Sequence, residues 1–221
     1  MLRQVLYTQW KWSKVELAVY AVIGFVVPVT TMKILTLKVT AFGDVIPISA
    51  LLDASVVTGI VLVGLAAICG VTLAVRPWMM DHARAFVLSL SLPLRWSDFI
   101  RLRFAAGAAL LLAPAAAVWF GGILAAAALP LPSTLHAYPT SLAARFLGAC
   151  LVFYATTFAL QHVAGRRAVK AAALAFVALA LVELIAQTLH LPSPTVALWN
   201  VTTSWPGPFS VITARWMLID A

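Results

Sequence analysis

Long apolar segments alternate with short polar connections along most of the chain. Each apolar segment is close to the roughly 20 residues that a helix needs to cross a bilayer, and most charged residues lie in the connections between them. The pattern predicts five transmembrane helices, at Val15 to Met32, Asp53 to Val75, Phe104 to Leu129, Phe146 to Ala164 and Ala171 to Leu191.

The two ends of the chain carry shorter elements. Residues 1–14 predict a helix lying in the membrane interface, because Leu2, Val5 and Trp10 share one helical side and the basic residues are mostly off it. The alternative is a frayed basic leader that only orients the first span. Residues 192–221 predict an external re-entrant segment and a short or partial last helix, since about 13 residues after Pro208 are too few for a full crossing.

Composition strengthens the membrane assignment. The chain is 63% hydrophobic and 10% charged, with a mean hydropathy of +1.02. Such a composition needs a lipid-facing exterior, so we expect an all-α integral membrane protein with a single transmembrane domain over residues 1–221.

Charge then predicts the orientation. With the N-terminus cytoplasmic, eleven Lys and Arg residues of the terminus and connections fall inside and three fall outside. The formal charge of +8 therefore indicates contact with the lipid bilayer, and no nucleic-acid partner is expected because the aromatic and basic pattern of such domains is absent.

Polar residues inside the predicted spans are few. Glu183, Gln187 and His190 form a stripe at i, i+4 and i+7 of the fifth span, which must face protein or water. The stripe predicts either a contact for a translocated substrate or ion, or a structural pair, for example with Arg145.

The third span carries small residues at four-residue spacing, which predicts a helix-packing seam at Ala109, Ala113, Ala117 and Gly121. Chance spacing in an alanine-rich helix is the alternative. Pro114 lies within the same segment, and we expect it to bend the helix or to free a carbonyl.

Motifs for catalysis are missing from the sequence. It contains no phosphate-binding loop of the GxxxxGK[ST] type, no HExxH and no GxSxG. The four histidines are scattered, and Cys69 and Cys150 lie within predicted spans as buried thiols. We therefore predict no catalytic residue, no metal site and no enzymatic activity of the chain itself.

Residues 76–103 form the longest charge-rich run, with five arginines. Asp81 to Leu92 can form a short amphipathic helix, Pro93 interrupts it, and Ser97 or Asp98 can cap the helix that re-enters the membrane. The run thus predicts a cytoplasmic elbow of helix, break and helix.

This order of residues resembles the permease subunits of type-2 ATP-binding-cassette (ABC) exporters, whose elbow is the coupling helix that docks on the ATPase. The interfacial N-terminal helix and a six-span plan are also similar. The residues that match the family's elbow are Asp81, Arg84, Leu90, Leu92, Pro93 and Arg95. The resemblance implies that charge reversal at Asp81 or Arg84 would uncouple ATP hydrolysis from transport.

The resemblance also implies the partners and the location. A nucleotide-binding ATPase subunit would bind ATP and Mg, so this chain would hold no cofactor. A second permease subunit, identical or homologous, would complete the path in the cytoplasmic (inner) membrane of a bacterium. The substrate, export versus import and the homodimeric or heterodimeric state stay open.

A second function class stays open beside this one. The chain could be an ATPase-independent polytopic transporter or a membrane-complex subunit that uses intramembrane Glu183.

Overall fold

In a computed structural model of the protein, the described residues are 2–40, 48–83, 95–128, 135–163 and 216–219, with the single positions 178, 182 and 196. Within these ranges the chain forms five helices and one two-stranded sheet. The elements are α1 (Leu2–Thr40), α2 (Ile48–Ala83), α3 (Trp96–Leu110), α4 (Leu112–Ala127), β1 (Leu135–Ala137), α5 (Pro139–Val163) and β2 (Met217–Ile219).

Four helical segments of the described chain are long and apolar enough to cross a membrane. They are Arg3–Ile34, Val57–Asp81, Trp96–Ala127, which joins α3 and α4, and Pro139–Gln161. The helical membrane fold and the first four predicted spans are therefore confirmed by length and composition. The fifth predicted span, Ala171 to Leu191, lies outside the described residues except at positions 178 and 182.

The four spans pack as a ring. Helix α1 contacts α2 on one side and α3 and α4 on the other, and α5 closes the ring by contacting both α2 and α4. Small or slender side chains lie at the centre, where Ala66, Cys69, Val118 and Cys150 have no exposed surface. Small residues allow the close helix approach on which association in lipid depends.

The N-terminal helix is present, but it is not a separate element. Residues 2–14 continue without a break into the first span as α1. Val5, Gln9, Ser13 and Leu17 are buried at four-residue spacing. The side of α1 that carries these residues packs against neighbouring helices from the first turns of α1 onward. The helix predicted for residues 1–14 therefore continues directly into the first span.

The third span is interrupted near its proline, as expected. Helix α3 ends at Leu110 and α4 begins at Leu112, with the Leu111 amide bonded to the carbonyl of Ala108 at 3.2 Å. Pro114 has no amide hydrogen to donate to the carbonyl four residues earlier, so the regular pattern lapses there.

The predicted packing seam is used at one end within the chain. Gly121 is buried against the backbone of α1, where an added Cβ would lie 3.0 Å from the Cα of Phe25. Ala117 is half-buried, whereas Ala109 and Ala113 are exposed on the single chain. The seam therefore holds α4 to α1 only near Gly121.

Beside the helices, the described chain contains one short two-stranded sheet. Strand β2 pairs antiparallel with β1, with His136 opposite Leu218, and the Tyr138 amide donates to the carbonyl of Trp216 at 2.9 Å. Trp216 is buried in the hydrophobic core. Met217–Ile219 is thus a strand, so the short last helix predicted within residues 192–221 does not include these positions.

Candidate functional site

The end of the bundle where α1 begins and α2 ends contains a buried ion pair. Asp81 in the last turns of α2 and Arg103 in α3 are 3% and 5% exposed. The Arg103 guanidinium donates through Nη1 to Asp81 Oδ2. Charged groups at such burial persist only when they are paired, because desolvating a lone charge costs several kcal/mol.

Two further helices reach the same point. Gln9 of α1 donates through Nε2 to the Arg103 main-chain carbonyl at 3.1 Å. The Tyr154 hydroxyl of α5 lies 3.5 Å from that carbonyl and 3.4 Å from the carbonyl of Phe104, at the long end of hydrogen-bond range. We call Gln9, Asp81, Arg103 and Tyr154 the polar junction, since each comes from a different span.

A glycine in α3, Gly107, makes room for the junction. An added Cβ at Gly107 would lie 2.9 Å from Tyr154 Cε2 and closer still to its hydroxyl. The Tyr154 ring also packs on Phe104 and Phe158, with ring centroids 5.3 and 5.8 Å away. The phenol can therefore approach α3 only because residue 107 is glycine.

The geometry of the junction suits a structural link better than a substrate site. A cavity of only about 20 Å³ lies beside Gln9, Asp81 and Arg103. Among the described residues, Gln9 Oε1 and Arg103 Nη2 have no hydrogen-bond partner. The pocket is of the order of one water in size, so the junction holds helices together and leaves no space for cargo.

The predicted coupling residues fall on both sides of the described boundary. Asp81 faces Arg103 inside the protein, whereas Arg95 is exposed immediately before α3. Arg84, Leu90, Leu92 and Pro93 lie outside the described residues.

The start of α3 differs from the prediction that Ser97 or Asp98 is its cap. The helix begins at Trp96, with Arg95 extended at the N-cap and no side-chain hydrogen bond to the cap. Asp98 instead lies in the first turn, where its negative charge suits the positive end of the helix dipole. The prediction was therefore wrong in position.

The intramembrane stripe of Glu183, Gln187 and His190 lies outside the described residues. In the described part of the chain, no group of three or more His, Cys, Asp or Glu residues could hold a metal.

Sequence reasoning missed Gln9, Arg103 and Tyr154. A signal for Arg103 did exist, because Asp81 and Arg103 are opposite charges at the ends of consecutive spans, and intramembrane charges usually pair. Gln9 and Tyr154 gave no such signal, since their role depends on the rotation of α1 and α5 within the bundle.

No family model, curated protein or solved structure matches this chain. The functional argument therefore rests on the residues and on the geometry of the bundle.

Proposed function

We propose that the chain is the permease subunit of an ATP-driven ABC transporter, with export as its direction. It would form the translocation path as a dimer and would be driven by a separate ATPase subunit. The observation that carries the proposal is the buried Asp81–Arg103 pair. This pair links α2 and α3, the two helices whose ends lie within the 76–103 elbow.

This pair suits force transmission. A partner that pushes on the elbow acts on the end of α2 and the start of α3. Because Asp81 and Arg103 join these helices inside the protein, the two helices would move together instead of flexing apart. Gln9 and Tyr154 would extend the movement to α1 and α5 through the Arg103 carbonyl, so all four spans would respond as one body.

The packed interior favours a path between two subunits. The centre of the described bundle is filled by side chains with no exposed surface, including Ala66 and Val118. The exposed seam positions Ala109 and Ala113 would be available to a second subunit, since small residues permit close packing in lipid. The apolar surroundings favour a hydrophobic or amphipathic substrate.

The structure changes which elbow variants test the proposal. Reversing the charge at Asp81 would place a cation beside Arg103 in a buried site, so loss of folding would accompany loss of coupling. Arg95 is exposed, and Arg95→Glu should leave the bundle intact. Lys14→Glu, which reverses an exposed charge on α1, is the matched control.

The experiment is purification of the tagged chain in mild detergent from its native host, with mass spectrometry and an ATPase assay on the eluate. We expect a nucleotide-binding subunit to co-purify with the wild type and with Lys14→Glu. The Arg95→Glu variant should keep the thermal stability of the wild type. Less of the nucleotide-binding subunit should co-purify with it, or ATP hydrolysis should no longer be coupled to transport. A folded preparation without an ATPase would contradict the proposal, and transport that is then lost in Glu183→Gln would identify the ATPase-independent class.

A further inference from the structure

A groove lies between α1 and α2 on the surface of the bundle, near the end that carries the polar junction. Its volume is about 240 Å³. Val71 and Met79 on its rim are 39% and 55% exposed, so the groove opens outward toward the position of lipid. Its lining is Ser13, Glu16, Val71, Thr72, Leu73, Val75, Arg76 and Met79.

One end of the groove carries a pair of opposite charges that remain accessible. Arg76 Nε lies 3.2 Å from Glu16 Oε1, and their side chains are 46% and 28% exposed. The guanidinium has five N–H donors, so a contact made through Nε leaves others to face a ligand. The Glu16 carboxylate likewise keeps acceptor capacity beyond this one contact.

A third polar group lines the same groove without a protein partner. The Ser13 side chain is 1% exposed, and its hydroxyl has no hydrogen-bond partner among the described residues. A buried hydroxyl without a partner is costly, which points to a ligand that brings a polar atom to this position.

We propose that this groove binds a phospholipid with a phosphoethanolamine headgroup. The Arg76 guanidinium would hold the phosphate, the Glu16 carboxylate would accept hydrogen bonds from the primary ammonium, and the Ser13 hydroxyl would donate to a phosphate or ester oxygen. An acyl chain would lie along Val71 and Val75.

Charge complementarity selects this headgroup. A headgroup that is only anionic would meet the carboxylate of Glu16, and like charges repel. A choline headgroup carries a positive charge but has no N–H to donate. The phosphoethanolamine group supplies both an anion for Arg76 and a cationic donor for Glu16, and charge-assisted hydrogen bonds are the stronger kind.

The depth of the groove agrees with such a lipid. Arg76 lies five residues closer than Val71 to the C-terminal end of α2. This difference corresponds to about 7.5 Å along a helix. The charged pair would thus lie toward the headgroups and Val71 toward the acyl chains. Binding is a property of the chain alone, so the inference does not depend on the proposed ATPase.

The test is lipid retention by the purified full-length chain in native mass spectrometry. The detergent-solubilised chain is offered phosphatidylethanolamine, phosphatidylcholine or phosphatidylglycerol with identical acyl chains. We expect retention of phosphatidylethanolamine to exceed that of the other two by about tenfold, the effect of one charge-assisted hydrogen bond.

Variants separate the contributions of the two charges. Glu16→Gln should reduce the preference for phosphatidylethanolamine over phosphatidylcholine, and Arg76→Gln should weaken retention of all three lipids. Lys14→Gln removes an exposed charge next to Ser13 in sequence but outside the groove lining, so it should change nothing. If a charge variant fails to fold, Val71→Phe narrows the groove without altering charge and should lower phosphatidylethanolamine retention.

Three results would overturn the proposal. Equal retention of the three lipids would mean that the groove does not distinguish one headgroup from another. A preference for phosphatidylglycerol would mean that Arg76 acts as a simple anion site. Cross-linking of Met79→Cys to a second copy of the chain, with no lipid retained, would mean that the groove is covered by protein.

Discussion

The Asp81–Arg103 pair gives the most direct test of the structure. In Asp81→Asn the shape of the side chain is kept, but its negative charge is lost. Arg103 is 5% exposed and already has one nitrogen, Nη2, without a hydrogen-bond partner in the described part of the chain. The variant therefore leaves a buried cation without its counter-ion.

The size of the effect follows from burial. Removing one partner of a buried ion pair costs about 3–5 kcal/mol. Because the Asn oxygen can still accept a hydrogen bond from Nη1, we expect Asp81→Asn to fall near the lower value, about 3 kcal/mol. Arg103→Gln should cost a similar amount, since it leaves a buried carboxylate.

The double variant is the informative one. Asp81→Asn with Arg103→Gln removes both charges and leaves two amides that can bond to each other. It should be less destabilised than either single variant, so the coupling energy should be about 3 kcal/mol or more. The main-chain carbonyl of Arg103, which accepts from Gln9, is unchanged by these substitutions, so the cycle isolates the side-chain pair.

The assay is reversible unfolding in mixed detergent micelles with increasing SDS, followed by the helical circular dichroism signal. Glu16→Gln is the control, because it breaks the partly exposed Glu16–Arg76 pair, which should cost less than breaking the buried pair. If the two single effects at residues 81 and 103 simply add in the double variant, the side chains are not paired and the reasoning fails.

Two further variants test the packing and the chain terminus. Gly107→Ala should lower the free energy of unfolding by about 1–3 kcal/mol through overpacking against Tyr154, while Gly148→Ala, where an added Cβ meets no atom within 4 Å, should be neutral or slightly stabilising. His136→Cys with Leu218→Cys should form a disulfide on mild oxidation, because these residues are opposite each other in the sheet. Gly148→Cys with Leu218→Cys is the control and should form none. Gel mobility after proteolysis reads the cross-link, and the reverse outcome would refute the strand register.

Much of the fold could be predicted from local properties of the sequence. The first four spans follow from the lengths of their apolar segments, and the interruption near Pro114 follows from a missing amide hydrogen. Gly121 was expected to permit close approach, and it does so against Phe25. In each case the relevant property belongs to one segment and needs no knowledge of its neighbours.

Other features depended on contacts between segments. The N-terminal helix was expected to lie apart from the first span, but buried Gln9 and Ser13 are part of one continuous α1. The sequence marked Asp81 as a coupling residue but gave no sign of its contact with Arg103, which depends on how α2 and α3 pack. The Met217–Ile219 strand had no local signal, since three apolar residues fit a helix equally well.

By itself, the sequence determined that this protein is helical, that it suits a membrane and where most of its described spans lie. Hydropathy is nearly additive along a segment, so length and composition are sufficient for those conclusions. Only the tertiary structure decided that Gln9, Asp81, Arg103 and Tyr154 meet at one end of the bundle. Their meeting depends on the rotation and depth of four helices, which are set by side-chain packing between segments far apart in the chain.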